Sequence, residues 1–250
     1  MSPFKYTERF VENLASARKV VPLLLESIEG PRSVVDLGGG TGAWCKVFRE
    51  NGVPRVRCID DARIAASDLL VAPDEFLGCN MAETLPEPIP SDLAVSLEAA
   101  EHIPTDMSGR VVDFLTRSAD LVLFSAAIPG QPHAGHINEQ PPTFWKRLFQ
   151  QRGFQRLDIL RPRIIGDPDV SHWYRQNLFL FANERGLGRV KRRAAPFDSI
   201  PDDFELVHES VLRGYRDRLR PPSVRRAFRE LMRAVGSRLR RRLAGNGIPP

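Results

Sequence analysis

A chain of 250 residues, 42% of them apolar, is long enough to bury one large α/β core and is not composed like a disordered segment. No apolar run approaches the length of a membrane span, and residues 1–10 have neither an apolar signal core nor a cleavage site, so a cytoplasmic address is expected. The net charge of +5 conceals an asymmetry, since 17 of the 36 Lys and Arg but only 7 of the 31 Asp and Glu fall in residues 185–250; the body is mildly acidic, which argues against a nucleic-acid partner for it. In chain order, residues 5–28 place Phe10, Leu14, Ala17, Val20, Val21, Leu24, Leu25 and Ile28 at helical spacing, with Pro22 predicting a boundary between two helical pieces. Residues 34–37 then form a short β-branched strand carrying Asp36, and Gly38, Gly39, Gly40, Thr41 and Gly42 turn the chain into a helix that begins at Ala43. The three cysteines, Cys45, Cys58 and Cys79, form no CxxC pair, so neither a zinc site nor a disulfide framework is indicated.

A strand that feeds a glycine turn opening a helix presents backbone N–H groups and the positive end of a helix dipole to a polar ligand. The spacing D-x-G-x-G-x-G, from Asp36 through Gly38 and Gly40 to Gly42, is neither the dinucleotide fingerprint nor a P-loop. It resembles the first motif of the class I S-adenosylmethionine-dependent methyltransferases. That resemblance implies cofactor binding by Asp36, Gly38, Gly39 and Gly40. Residues 55–60 read as a second strand closing on Asp60, about twenty residues past the glycine turn, where a carboxylate can accept from both ribose hydroxyls. A short third strand, residues 75–80, ends at Asn80 where the family usually has an Asp, so the resemblance implies an adenine amino contact to an amide oxygen, with Met81 packing on the adenine face.

Residues 92–97 read as the fourth strand, followed by Glu98, Ala99, Ala100, Glu101 and His102. Three polar groups converge on one turn at a strand's C-terminal end, where open α/β sheets bind ligands. The Glu-x-x-Glu-His pattern resembles ubiquinone-pathway O-methyltransferases and small-RNA 2′-O-methyltransferases. By that resemblance Glu98, Glu101 and His102 would hold a divalent metal, magnesium, completed by His136 from beyond the fifth strand, residues 120–125; Glu98 also counts among the cofactor contacts. A second reading makes His136 the general base that removes the acceptor's proton, its ordinary pKa suiting that task. His136 and His102 are thus the candidate catalytic residues, whereas His133 reads as an ordinary loop histidine.

Residues 141–150 open with a helix N-terminal signature, and Gly153 closes that helix. Residues 154–165 and 177–182 read as two late strands forming an antiparallel hairpin. Between them, Trp173 and Tyr174 either fill the gap beneath the hairpin or, with Arg175, stand near the sheet edge to clamp an anionic acceptor. The string from Gly135 to Ala182 resembles bacterial methyltransferases encoded among glycan and secondary-metabolite genes. Past Asn183 the pattern fails, and residues 223–243 make an amphipathic basic helix with three open fates: docking on the body or on a second subunit of a homodimer, lying on an anionic membrane surface, or touching RNA.

The predicted organisation is an N-terminal helical cap (residues 1–30), a methyltransferase domain (31–184) and a basic C-terminal helical extension (185–250). The expected fold is Rossmann-like: a doubly wound, seven-stranded, mostly parallel sheet with a terminal antiparallel hairpin and helices at both ends. The implied activity is methyl transfer from S-adenosylmethionine to an oxygen of a small metabolite or sugar. An RNA 2′-O-methyltransferase with a divalent metal and a non-catalytic cofactor-binding partner subunit stand as alternatives.

Overall fold

The computed structural model describes residues 10–131, 135–191 and Leu212. The chain divides into two units, Met1–Val211 and Leu212–Pro250, and the sheet with its covering helices belongs to the first. Seven strands, β1 (Ser33–Leu37), β2 (Arg55–Asp60), β3 (Phe76–Gly78), β4 (Leu93–Leu97), β5 (Leu121–Ser125), β6 (Gln155–Leu157) and β7 (Phe179–Ala182), form one sheet in the order β3-β2-β1-β4-β5-β7-β6. Pairings among β1 to β5 are parallel, while β7 runs antiparallel to both β5 and β6. This is the predicted Rossmann-like sheet with its antiparallel hairpin.

β1, β4 and β5 are buried at every position, which is why their sequences are continuous apolar runs without alternation: helices cover both faces. On one face α1 (Phe10–Ser27) and α2 (Ala43–Glu50) pack Val20, Val21, Leu24, Val47 and Phe48 against Val34, Val56, Leu93 and Val95. On the other, α3 (Ser108–Ser118) and α4 (Pro142–Gln150) bring Val111, Leu115, Trp145 and Phe149 against Val35, Ala94, Val122 and Phe124. Successive strand residues point to opposite faces, so β1 alone seeds both cores through Val34 and Val35. Among the described residues no helix is long and apolar enough to cross a membrane.

Two predicted features differ, and one helix is unforeseen. Pro22 lies inside a single helix and marks no boundary. The carbonyl left without its usual N–H partner belongs to exposed Arg18, within reach of water, and the buried stripe of Ala17, Val20, Val21, Leu24 and Ile28 holds the turns together on either side. The late strand predicted over residues 154–165 is only β6, because α5 (Arg161–Ile164) begins where Arg161 pairs with Asp158 and donates to the Gln176 carbonyl. A further helix, α6 (His172–Asn177), occupies the interval before β7. Beyond β7, α7 (Glu184–Gly188) and the next three residues fold back on the body, with Glu29 N–H donating to the Arg189 carbonyl and Lys191 N–H to that of Ser27. The basic helix of residues 223–243 and His133 lie outside the described residues.

Candidate active site at the switch point of the sheet

The strand order reverses between β1 and β4, and a crevice outside the carboxyl ends of these strands is where an open α/β sheet takes ligands. One wall of it is the glycine turn. Gly38, Gly40 and Gly42 have φ of 80°, 58° and 87°, the left-handed region that residues with a Cβ avoid. A Cβ on Gly38 would stand 2.3 Å from the Ala99 Cβ and 3.3 Å from Met81 Cε, and one on Gly39 would stand 2.7 Å from Asp36 Oδ2 and 2.8 Å from Cys58 Sγ. The turn is therefore glycine because it is squeezed between the β3 and β4 tips on one side and a buried acid on the other. Met81 covers Gly38, beside the position the resemblance gives to the adenine.

Both acids of this wall are almost wholly buried. Asp60 Oδ2 accepts from Gly40 N–H at 2.7 Å and its Oδ1 from Asp61 N–H at 2.6 Å, so the carboxylate predicted to hold a ribose also fastens the glycine turn to β2. A carboxylate has about four acceptor sites, enough for both tasks. Asp36 sits deeper, with Cys45 Sγ 3.9 Å from its Oδ2. Burial, and then the charge of Asp60, push its pKa up to about 8. Asn80 is exposed, and its Oδ1 accepts from Ala82 N–H at 3.2 Å, closing a local turn at the end of β3.

The opposite wall comes from the tips of β4 and β5. Glu98, directly after β4, has φ of 51° and is the one non-glycine residue with positive φ among the described residues. Its Oε2 accepts from Gln131 Nε2 at 2.8 Å and its Oε1 from Asn177 Nδ2 at 3.1 Å; burial raises its pKa while these amides counteract the rise. One turn of 3-10 helix, Ala100–His102, then presents Glu101 and His102. A loop from beyond β5 lies across this turn, with Ile137 and Asn138 N–H both donating to the Glu101 carbonyl and the buried Asn138 amide donating to the Ala100 carbonyl and Ser108 Oγ. That loop delivers His136. Its ring lies 5.0 Å from that of His102 and its Nε2 is 3.9 Å from Glu101 Oε1.

Glu101, His102 and His136 thus offer three donor atoms within 4.8 Å of one another, a grouping that could hold a metal ion. Glu98, predicted as a fourth ligand, is outside it, turned instead to Gln131 and Asn177. Each histidine is set by an oxygen at Nδ1: the Gly135 carbonyl at 3.1 Å for His102 and Glu139 Oε1 at 2.9 Å for His136. An acceptor opposite Nδ1 makes that nitrogen the donor and leaves the neutral ring's lone pair on Nε2. Glu139 also accepts from Gly130 N–H at 2.5 Å, so one side chain closes the loop and selects the tautomer. Gln131, Glu139 and Asn177 drew no role from the sequence; the only signal was Glu139 standing three residues after His136.

Tyr174, Trp44 and Asn13 link α6 to α2 and α1. The Tyr174 hydroxyl donates to Asn13 Oδ1 at 3.0 Å and receives the Trp44 indole N–H at 3.4 Å, so these aromatics seat α6 against α1 and α2. Arg175 donates to the Ile165 carbonyl at 3.3 Å.

No protein-family description matches the chain, and no curated protein matches it in sequence. Solved structures match it in fold. The sugar N-methyltransferase KedS8 from Streptoalloteichus sp. aligns over 68% of this chain and 87% of its own, with 15% identity and a TM-score of 0.50. What is shared is the fold. Human N-acetylserotonin methyltransferase in complex with SAM (15% identity, 67% of this chain, TM-score 0.45) and CalO1, a methyltransferase in calicheamicin biosynthesis (18%, 67%, 0.44), align less closely. The chain spans about half the length of these two, 51% and 54%.

Proposed function

We propose that the chain transfers a methyl group from S-adenosylmethionine to a hydroxyl of a small metabolite or sugar. The observation that carries this reading is the pair of buried acids, Asp36 and Asp60, at consecutive strand tips around a glycine turn at the switch point of the sheet. The likeness in fold to KedS8 supports it.

In this reading Asp60 accepts from the ribose hydroxyls with the lone pairs that Gly40 and Asp61 leave open, and Met81 lies along the base. The sulfonium methyl faces the β4 and β5 tips. Holding acceptor and methyl in line converts a bimolecular step into a nearly unimolecular one, an effect of roughly 7–11 kcal/mol. The acceptor oxygen attacks the methyl carbon, the carbon–sulfur bond breaks towards sulfur, and the hydroxyl proton goes to His136 Nε2. The Glu139 carboxylate at Nδ1 then stabilises the imidazolium, and base catalysis of this kind contributes about 10²- to 10⁴-fold. A divalent ion held by Glu101, His102 and His136 would supply the alternative, lowering the pKa of the acceptor hydroxyl.

Titration calorimetry with S-adenosylmethionine and its demethylated product tests the reading. Binding of both, weakened by Asp60→Ala, is expected. No heat from either ligand, with Asp60→Ala indistinguishable from the parent, would end it. Methyl transfer to a panel of hydroxylated metabolites and sugars separates an enzyme from a cofactor-binding subunit.

A further inference from the structure

We infer that the cluster at the β4 and β5 tips, Glu101, His102 and His136 among the described residues, is a site for a zinc-class ion, that it does not take magnesium, and that Glu98 is not one of its ligands. Resting on the reading of this cluster as the acceptor side of the crevice, the inference takes the metal alternative there, in which His136 Nε2 binds the ion and does not serve as the base. Three observations carry it. The first is donor chemistry: the atoms brought within 4.8 Å come from one carboxylate and two imidazoles. Magnesium is a hard ion that prefers six oxygen ligands and keeps much of its water, whereas two nitrogens and one carboxylate suit Zn²⁺, Co²⁺ or Fe²⁺.

The second is the support behind the donors. A histidine that binds a metal through Nε2 ordinarily donates Nδ1–H to a carboxylate or a carbonyl, which fixes the ring and raises its basicity. His136 meets the Glu139 carboxylate and His102 the Gly135 carbonyl. The two bracing groups lie in the same loop, which is pinned to the turn bearing Glu101 by Ile137 N–H, Asn138 N–H and the Asn138 side chain. Ligands drawn from two separate stretches of chain are therefore preset before any ion arrives.

The third is what Glu98 does instead. Its backbone is held at positive φ, and each carboxylate oxygen already receives an amide N–H, from Gln131 and from Asn177. Asn177 Nδ2 also reaches Gln131 Oε1 at 2.9 Å, so the three side chains form a closed set directed at the β7 side. Glu98 is thereby turned towards Gln131 and Asn177, outside the group of donor atoms that lie within 4.8 Å of one another.

The test uses the full chain, stripped with chelator and titrated with Co²⁺ alone. One equivalent is expected to bind, with a visible d–d band that one equivalent of Zn²⁺ abolishes and millimolar Mg²⁺ leaves intact. Glu101→Gln and His136→Gln should each weaken Co²⁺ binding by about 100-fold or more, Glu139→Gln by about 10-fold as a group behind a ligand, and Glu98→Gln by less than about 3-fold. Circular dichroism and S-adenosylmethionine calorimetry on every variant separate loss of ions from loss of fold. Mg²⁺ displacing Co²⁺ at comparable concentration, or Glu98→Gln losing the ion as Glu101→Gln does, overturns the inference. So does a protein that binds S-adenosylmethionine but neither Co²⁺ nor Zn²⁺. If Co²⁺ binds as described while S-adenosylmethionine does not, the methyl-transfer reading falls and the metal site stands.

Discussion

The two walls of the crevice are built on opposite plans. At the β1 and β2 tips the glycine turn, Asp36 and Asp60 are close in sequence, their shape is set by backbone φ values, and the bond that matters most joins a carboxylate to a main-chain amide. At the β4 and β5 tips two main-chain bonds to the Glu101 carbonyl pin the loop, and the functional side chains then meet partners from distant stretches: Glu98 with Asn177, Asn138 with Ser108, and His136 beside Glu101. A wall of the first kind suits a ligand that never changes, and one of the second can be re-equipped residue by residue. Cofactor affinity and turnover should therefore separate when each wall is perturbed.

The largest separation is expected from His136→Ala. Turnover should fall by about 10²- to 10⁴-fold, the usual worth of a positioned base or equivalent group, while S-adenosylmethionine affinity measured by calorimetry stays put. Parallel losses in both would break the division between walls. Gly38→Ala probes their contact, because its new Cβ would collide with that of Ala99 at a φ of 80°. Overpacking and left-handed strain together should cost about 3 kcal/mol in urea unfolding. A variant as stable as the parent would mean the walls are not pressed together.

Asp60→Ala should weaken S-adenosylmethionine binding by about 30-fold, the worth of one or two hydrogen bonds to a charged group, and leave the affinity of the other wall for its ligands alone. The effect that is smallest per step of the titration is a pH slope. Asp36 is raised to about 8 in the folded chain, chiefly by burial, against about 3.9 when unfolded. Between those values the native state holds more protons than the unfolded one, so stability falls as pH rises from about 4 to about 8, by up to about 1.4 kcal/mol per pH unit, and levels off above. Asp36→Asn should flatten that slope in unfolding curves taken at about pH 5, 6, 7 and 8. Parallel curves for parent and variant would place Asp36 in a wetter site than its burial implies.

The same contrast governs how much could be read from the sequence. The glycine turn, the strand ends at Asp36 and Asp60 and the start of α2 at Ala43 are local consequences of residue type, and they stand where the sequence puts them. Pro22 misled because tertiary burial of Val20, Val21 and Leu24 outweighs one missing hydrogen bond. The segment after β6 misled because Arg161 turns the chain by pairing with Asp158 over the Phe179 ring, a contact that only the folded chain brings about. At the second wall the sequence could supply Glu98, Glu101, His102 and His136 as chemistry but not their grouping. That grouping depends on which amides reach Glu98, and Gln131 and Asn177 arrive from distant parts of the chain, before β6 and just before β7.

β7 runs against its neighbours, so its beginning, not its end, reaches the ligand-bearing rim of the sheet. The chain leaves that rim after Leu157 and rejoins it at Asn177, and the Asp158–Arg161 pair clasps the exit to the return through the Gln176 carbonyl. A detour that departs from and comes back to one clasp behaves as a cassette. Its exposed turn around Gly166 and Pro168 can be varied while buried Ile164, Val170 and Tyr174, together with the clasp, keep the sheet, and the amide that steers Glu98, in register.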